Sequence, residues 1–255
     1  MTTRVDMHMH TTASDGTDHV AALYEKLLEK GIDTFSVTDH DTIEAALLME
    51  AFLKDKDSAI HFYKGCEFSC KYEGHKCHIL AYDYDPACEI FQTLLLHGER
   101  MRKEKLNMRI TGLREQFDIH FTEDELSYLH SLSSVGKPHM AKLLINKGLA
   151  DSIDEAIKKY IDHIPDCDFR QDAHMVLGAI SEAGGISVWA HPLGGEGEKR
   201  VDRDCFLYYL DHMKEEGLMG LECFYSRYDM EDVDFLKNSA MDRGLLISGG
   251  SDYHG

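Results

Sequence analysis

The sequence has no apolar run close to the roughly 20 residues that a bilayer-spanning helix needs, and its first residues lack a secretory hydrophobic region. We therefore expect a cytoplasmic protein that does not bind a membrane. The sequence also lacks a disulfide framework, because its seven cysteines are an odd number spread over 255 residues. Free thiols in a chain of this length are typical of a reducing compartment.

Positive charge is scarce. The chain has 27 lysines and arginines against 46 aspartates and glutamates, which gives a formal net charge of −19. Such a surface repels long polyanions, so we expect no long nucleic-acid partner. A small phosphorylated substrate stays compatible with this composition, because bound cations would cancel part of the negative charge.

Short apolar segments alternate with helical patterns before residue 83 and again after residue 172. The predicted strands cover residues 4–8, 32–37, 59–63, 68–72, 77–82, 186–190, 219–225 and 245–248, and the clearest helices cover residues 18–30, 43–54, 205–216 and 231–243. This order predicts an α/β fold, either a (β/α)7 TIM-like barrel or an open doubly wound sheet.

Between residues 89 and 172 the pattern is helical throughout. We interpret residues 89–172 as an insertion that caps the barrel, which leaves residues 1–88 and 173–255 for the barrel itself. The first helix of the insertion, residues 91–117, carries six lysines and arginines against three glutamates. These cations either bind a substrate or form an ordinary solvated helix face with i,i+4 ion pairs.

His8 and His10 lie at the end of the first predicted strand. Residues i and i+2 of a strand point to the same side, so the two imidazoles are expected side by side, as half of a transition-metal site. Further histidines and carboxylates recur at or just after the ends of later apolar runs, namely Asp15, Asp39, His40, Asp41, Glu67, His78, His191, Asp252 and His254. A set this large suits two or three ions rather than one, and we expect Mn, Fe or Zn.

Cys66, Cys70 and Cys77, followed by His78, offer an alternative zinc site. Their spacing fits no common structural zinc pattern. Cys66 and Cys70 also fall where the interior of a strand would bury small residues. We therefore expect buried thiols here.

Taken in order, these motifs resemble those of the polymerase-and-histidinol-phosphatase (PHP) family of metal-dependent phosphoesterases, over nearly the whole chain. The resemblance is carried by His8-x-His10, Asp15-Gly16, Thr38-Asp39-His40-Asp41, Gly65-Cys66-Glu67, His78, Ala190-His191-Pro192 and Ser251-Asp252-Tyr253-His254. It implies a distorted (β/α)7 barrel with a trinuclear metal centre, which hydrolyses phosphate esters with a metal-activated hydroxide.

The resemblance also implies how the ligands are shared between the ions. The first ion is expected at His8, His10, Glu67 and Asp252, the second at Asp15, His40 and His254, and the third at His78 and His191 with Glu67 as a bridge. We assign a catalytic role to Asp15, His40 and His254. Asp39 or Asp41 is expected to orient a ligand imidazole.

The helical insertion resembles the one in PHP phosphatases of small molecules, where arginine and histidine bind phosphate. Lys137-Pro138-His139 resembles the Arg-Pro-His of that insertion, although lysine loses the bidentate geometry of arginine. The candidate substrate ligands are Arg100, Arg102, Lys137, His139 and Arg170. They favour a substrate with two phosphate groups, a nucleoside 3′,5′-bisphosphate or a phosphoribosyl cyclic phosphate, over histidinol phosphate, which carries one.

Two other functions share parts of this pattern. A metal-dependent amidohydrolase also has His-x-His on its first barrel strand, but it usually needs a bridging lysine at a strand end, and we find none so placed. A non-catalytic PHP module in a larger assembly would be marked by a degenerate ligand set, whereas all nine positions here carry suitable residues. The sequence therefore favours an enzyme.

Overall fold

The computed structural model describes residues 4–54, 56, 60–165, 169–195 and 198–255. Its strands are β1 Val5–Asp6, β2 Thr34–Val37, β3 His61–Tyr72, β4 His75–Tyr82, β5 Gln171–Asp172, β6 Ile186–Ala190, β7 Gly220–Tyr225 and β8 Leu246–Gly250. Its helices are α1 Val20–Lys30, α2 Glu44–Leu53, α3 Glu89–Phe117, α4 Glu123–Ser131, α5 Lys137–Asn146, α6 Ile153–Lys159, α7 Ala173–Glu182, α8 Arg203–Glu215 and α9 Met230–Asp242, with a 3₁₀ turn at Ile161–His163. None of the helices in these described ranges is long and apolar enough to cross a membrane.

Seven strands form one sheet in the order β1, β2, β3, β4, β6, β7, β8, and β5 pairs with β3. Neighbouring strands are parallel except that β4 runs antiparallel to both β3 and β6. The two ends of the sheet meet, because the Met7 N–H donates to the Gly249 carbonyl at 3.1 Å and Met9 forms a parallel bridge with Tyr253. The sheet is therefore a nearly closed barrel, which confirms the predicted α/β barrel over the open sheet.

The sequence prediction was wrong about β3. We predicted two strands, at residues 59–63 and 68–72, but the structure has one unbroken strand from residue 61 onward, and Ala59 lies outside the described residues. Gly65 does not end the strand. Instead, its missing side chain makes room for β2, since a Cβ on Gly65 would collide with the Oγ of Ser36.

The hairpin of β3 and β4 turns at Glu73 and Gly74, as predicted, and both residues have positive φ angles. Because β3 is continuous, Glu67 lies in the middle of a strand and not after its end. His78 likewise lies inside β4. Both side chains point into the barrel from strand interiors. Part of the site therefore lies inside the barrel, and not only at the ends of the strands as the sequence pattern predicted.

The insertion has a hydrophobic core of its own, which includes Leu106, Leu113 and Leu144. Helix α3 belongs to two cores, because Phe91 and Leu94 near its start pack in the barrel core while Leu106 and Leu113 pack in the insertion. Strand β5, which the sequence boundary placed in the insertion, pairs with β3 of the barrel. The barrel and the cap are therefore joined by a continuous helix on one side.

The three cysteines of the alternative zinc site are buried. Cys66, Cys70 and Cys77 are at most 3% exposed and pack in the barrel core. Burial raises the pKa of the Cys77 thiol to about 12. Within the described residues, the groups with metal-ligand geometry contain histidine and carboxylate only.

Candidate metal centre and substrate cavity

His8 and His10 lie just beyond β1, with their ring centroids 5.3 Å apart and both side chains fully buried. The backbone around them pairs with the segment after β8. The Asp252 N–H donates to the His8 carbonyl at 2.8 Å, and the His10 N–H donates to the Tyr253 carbonyl at 2.8 Å. This pairing brings Asp252 and His254, from the far end of the chain, beside the first two histidines.

Glu67 lies at the centre of the cluster and is completely buried. One of its oxygens faces His8, His10 and His40, and the other faces His78 and His191. The distances from the Glu67 oxygens are 3.2 Å to His8 Nε2, 3.2 Å to His10 Nε2, 3.0 Å to His40 Nδ1, 2.8 Å to His78 Nδ1 and 3.2 Å to His191 Nε2. A carboxylate in this position can bridge two ions.

The candidate ligands form three overlapping groups, and within each group the ligand atoms lie within 4.8 Å of one another. The groups are His8, His10, Glu67 and Asp252; His10, Asp15, His40 and His254; and His40, Glu67 and His78. The first group equals the expected first set, and the second adds His10 to the expected second set. The third contains His40 where His191 was expected. His191 lies 3.2 Å from His78 Nδ1 and from Glu67, so all nine residues converge on one place.

The unpaired atoms of the cluster fit divalent ions. Among the described residues, no hydrogen-bond partner is found for five buried atoms here: His8 Nε2, His10 Nε2, Asp15 Oδ1, His40 Nδ1 and Glu67 Oε2. Buried polar atoms normally find a partner, because leaving one unsatisfied costs free energy. Imidazole nitrogens and carboxylate oxygens are the ligands that Mn, Fe and Zn accept.

The charges of the cluster also fit bound divalent ions. Burial disfavours the protonated ring of His10, but Asp252 and Glu67 outweigh burial and raise the pKa of His10 to about 10. Burial would raise the pKa of Glu67, but the surrounding imidazoles hold it well below its usual value. The carboxylates are therefore ionised and attract positive charge, which divalent ions can supply in place of ring protons.

Asp39 is linked to a ligand imidazole through Ser14, whose hydroxyl donates to Asp39 and lies 3.4 Å from His10 Nδ1. Asp39 also accepts the N–H of Thr11 at 2.8 Å, so it fixes the loop after His10. Asp41 pairs with the insertion. Burial would raise the pKa of Asp41, but the Arg102 guanidinium beside it, 2.7 Å from Nε to Oδ2, holds it below its usual value.

A cavity of about 820 Å³ lies between the ligand cluster and the insertion. Asp15, His40, His78 and His191 line it on the barrel side. Among the described residues, seven cations line it against three carboxylates. The cations are Lys76, Arg102, Lys105, Arg109, Lys137, Arg170 and Lys199, and the carboxylates are Asp15, Asp41 and Glu198. The cavity is therefore cationic, although the chain as a whole is strongly acidic.

The structure brings three of the five predicted substrate ligands, Arg102, Lys137 and Arg170, to the wall of this cavity. Arg170 also lies against the ligand cluster, with Nη1 2.9 Å from His78 Nε2. His139 is buried behind the wall, where its Nδ1 accepts the Gly136 N–H at 3.0 Å. Arg100 is exposed and does not line the cavity.

The sequence analysis did not select Lys105 and Arg109, which also line the cavity. Helical spacing could have identified them. Arg102, Lys105 and Arg109 are three and four residues apart and so share one face of α3, whereas Arg100 is two residues from Arg102 and points elsewhere. Lys76 and Lys199 follow no comparable pattern.

Comparison with known proteins identifies the family. Residues 6–170, more than half of the chain, match the family model described as the PHP domain. The chain belongs to the PHP domain family. A 5′-3′ exoribonuclease from Haemophilus influenzae is 28% identical to this PHP protein over 257 residues, covering 100% of this chain and 91% of the relative. A 3′,5′-nucleoside bisphosphate phosphatase from Chromobacterium violaceum is 24% identical over 262 residues, covering 98% of this chain and 87% of the relative.

A solved structure gives the same result. A Bifidobacterium adolescentis protein assigned as a metal-dependent phosphoesterase matches this PHP protein with a TM-score of 0.86 and 27% identity, covering 100% of this chain and 89% of that one. The family resemblance and the barrel fold expected from the sequence are confirmed. The PHP protein is a metal-dependent hydrolase of phosphate esters.

Proposed function

We propose that this PHP protein hydrolyses a small nucleotide or sugar with two phosphate groups. A nucleoside 3′,5′-bisphosphate is the first candidate and a phosphoribosyl cyclic phosphate the second. The observation that carries this proposal is the excess of cations in the cavity beside the ligand cluster, in a chain with a net charge of −19. Such a cavity attracts small polyanions, while the acidic surface repels long nucleic acids.

The reacting phosphate would lie over the ligand cluster. Two or three ions, Mn, Fe or Zn, would be held by His8, His10, Asp15, His40, Glu67, His78, His191, Asp252 and His254. Ions held there would lower the pKa of water and would neutralise charge on the phosphoryl group. Asp15 and His40 line the cavity and His254 lies 3.4 Å from Asp15, which supports a catalytic role for these three. Arg170, next to His78, is placed to hold the same phosphate.

The second phosphate would meet the cations of the cap. Arg102 reaches the cavity from α3, where Asp41 and the Ser69 hydroxyl hold its guanidinium. Lys137 lines it at the start of α5, where its Nζ lies 2.5 Å from Asp162 Oδ1, so a phosphate would compete with Asp162 for this cation. His139 supports this turn from behind. Each charge-assisted hydrogen bond to a phosphate would contribute about 1.5–3 kcal/mol. Arg100 has no part in this proposal because it is exposed on another face of α3.

Phosphate release with Mn²⁺-loaded protein tests the proposal. Arg102→Ala and Lys137→Ala are expected to lower kcat/KM for a nucleoside 3′,5′-bisphosphate by about 10- to 150-fold. On p-nitrophenyl phosphate, which offers nothing to the cap, the loss should be small. Arg100→Ala, on the same helix, is the matched control and should behave as wild type on both substrates. Equal losses on both substrates would place the cap residues in the chemical step instead.

Trimming of short RNA from its 5′ end is a second candidate, because the Haemophilus influenzae relative is named as a 5′-3′ exoribonuclease and covers the whole chain. The same assay can include a 5′-phosphorylated trinucleotide and histidinol phosphate. A higher kcat/KM for the trinucleotide than for the bisphosphate would make RNA the preferred substrate. Efficient turnover of histidinol phosphate, which has one phosphate, would contradict the requirement for two.

A further inference from the structure

Glu222 is a fully buried carboxylate in the middle of β7, and the sequence analysis gave it no role. Both of its oxygens contact candidate metal ligands. Oε1 lies 3.0 Å from His8 Nδ1, and Oε2 accepts the backbone N–H of His191 at 2.7 Å. The two contacts reach residues beyond β1 and at the end of β6, so one side chain connects ligands from two separate parts of the barrel.

The contact with His8 is made at Nδ1, the ring nitrogen that faces away from the first ligand group. With an ion bound at Nε2, His8 would carry its single ring proton on Nδ1, which faces a carboxylate oxygen of Glu222 that can accept it. The lone pair is then on Nε2, which faces Glu67 Oε2 at 3.2 Å and Asp252 Oδ1 at 3.4 Å. In this tautomer His8 presents its free nitrogen to the first ligand group.

The contact with His191 is made at a residue with an unusual backbone conformation. His191 has a φ of 28°, in the left-handed region that side chains other than glycine rarely adopt, and it precedes Pro192, which restricts it further. The hydrogen bond from its N–H to Glu222 favours this conformation. The ring is thereby directed to Glu67, with Nε2 3.2 Å from the carboxylate.

We propose that Glu222 is a positioning residue of the metal centre, which fixes the tautomer of His8 and the backbone of His191 at the same time. Partners of this kind typically change metal affinity by about 10- to 100-fold. The proposal rests on the metal centre and not on the identity of the substrate, so binding measurements can test it whichever phosphate ester is hydrolysed.

Glu222→Gln is the sharpest test, because glutamine keeps the shape of glutamate but turns one oxygen into an NH₂ donor. That donor must face either the His8 Nδ1–H or the His191 N–H, which are donors themselves. We expect Zn²⁺ affinity, measured by chelator competition, to fall about 10- to 100-fold for at least one ion. The ¹H–¹⁵N spectrum of the histidine side chains should also show an altered proton position on His8.

Glu216→Gln is the matched control. This carboxylate also bridges two side chains, the Tyr72 hydroxyl at 3.0 Å and His174 Nδ1 at 3.2 Å, but it lies away from the ligand cluster. The Zn²⁺ affinity of the Glu216→Gln variant should equal that of the wild type. Unchanged affinity in Glu222→Gln would overturn the proposal. If that variant does not fold, the Zn²⁺-loaded wild type decides, because a His8 proton on Nε2 would equally overturn it.

Discussion

Glu67 is the residue on which most of the metal centre depends, because its two oxygens face five histidines. Glu67→Gln removes the negative charge shared by the ligand groups. We expect it to lose bound metal and to reduce kcat by more than the 10- to 100-fold that is typical of an outer-shell partner. Elemental analysis together with phosphate release measures both effects.

His78→Ala serves as the comparison for Glu67→Gln. His78 belongs to only one of the three ligand groups, so its variant should keep about two ions and part of the activity. If Glu67→Gln instead retained full metal content and the full rate of phosphate release, that result would contradict the role of Glu67 as a bridge between ions.

Some of these residues could be predicted from the sequence and others could not. All nine candidate ligands were selected because ligand residues recurred beside apolar runs. Glu222 was missed because a single carboxylate within a strand looks the same whether it faces solvent or a histidine. Only the neighbouring strands, which bring His8 and His191 to it, give Glu222 its environment.

Two helix glycines with different surroundings, one in the cap and one in the barrel, test how tightly the cap is packed. In α3, a Cβ on Gly112 would lie 2.5 and 2.8 Å from side-chain carbons of Ile164 in the core of the insertion. In α7, a Cβ on Gly178 would meet nothing within 4 Å. Gly112→Ala is therefore expected to destabilise the protein by about 1–3 kcal/mol, whereas Gly178→Ala should stabilise it by about 0.5–1 kcal/mol.

Chemical denaturation of both variants measures these changes. Since both substitutions bring the same gain in helix propensity, the difference between them isolates the packing around Ile164. A Gly112→Ala variant as stable as Gly178→Ala would show that the cap core can relax without cost.

The elements themselves were largely predictable where their signals are local. Periodicity predicted β6 at its observed bounds, and α3 within two residues at its start. The continuity of β3 was not predictable, because Gly65 usually weakens a strand and only the close approach of Ser36 explains it. Arg100 was selected by charge alone, without the helical phase that separates it from Arg102.

For the whole molecule, metal content and stability should change together. Protein prepared without chelator is expected to contain more than one equivalent of Mn, Fe or Zn. An ion at 100 times its dissociation constant stabilises the folded state by about 2.7 kcal/mol. Removing it should therefore lower the melting temperature by about 5–10 °C in a chain of this size. One ion or none, without activation by added Mn²⁺, would contradict the three-ion arrangement.

The continuous helix α3 has a mechanical consequence. Its 29 residues extend for about 44 Å, with one end packed in the barrel and the other in the cap. A lid that opens and closes needs a hinge between cap and barrel. An unbroken helix without proline is stiff and provides no hinge. We therefore expect the gap between cap and barrel to keep a nearly constant width through the catalytic cycle. Substrates would then be sorted by their size on entry rather than by the timing of closure.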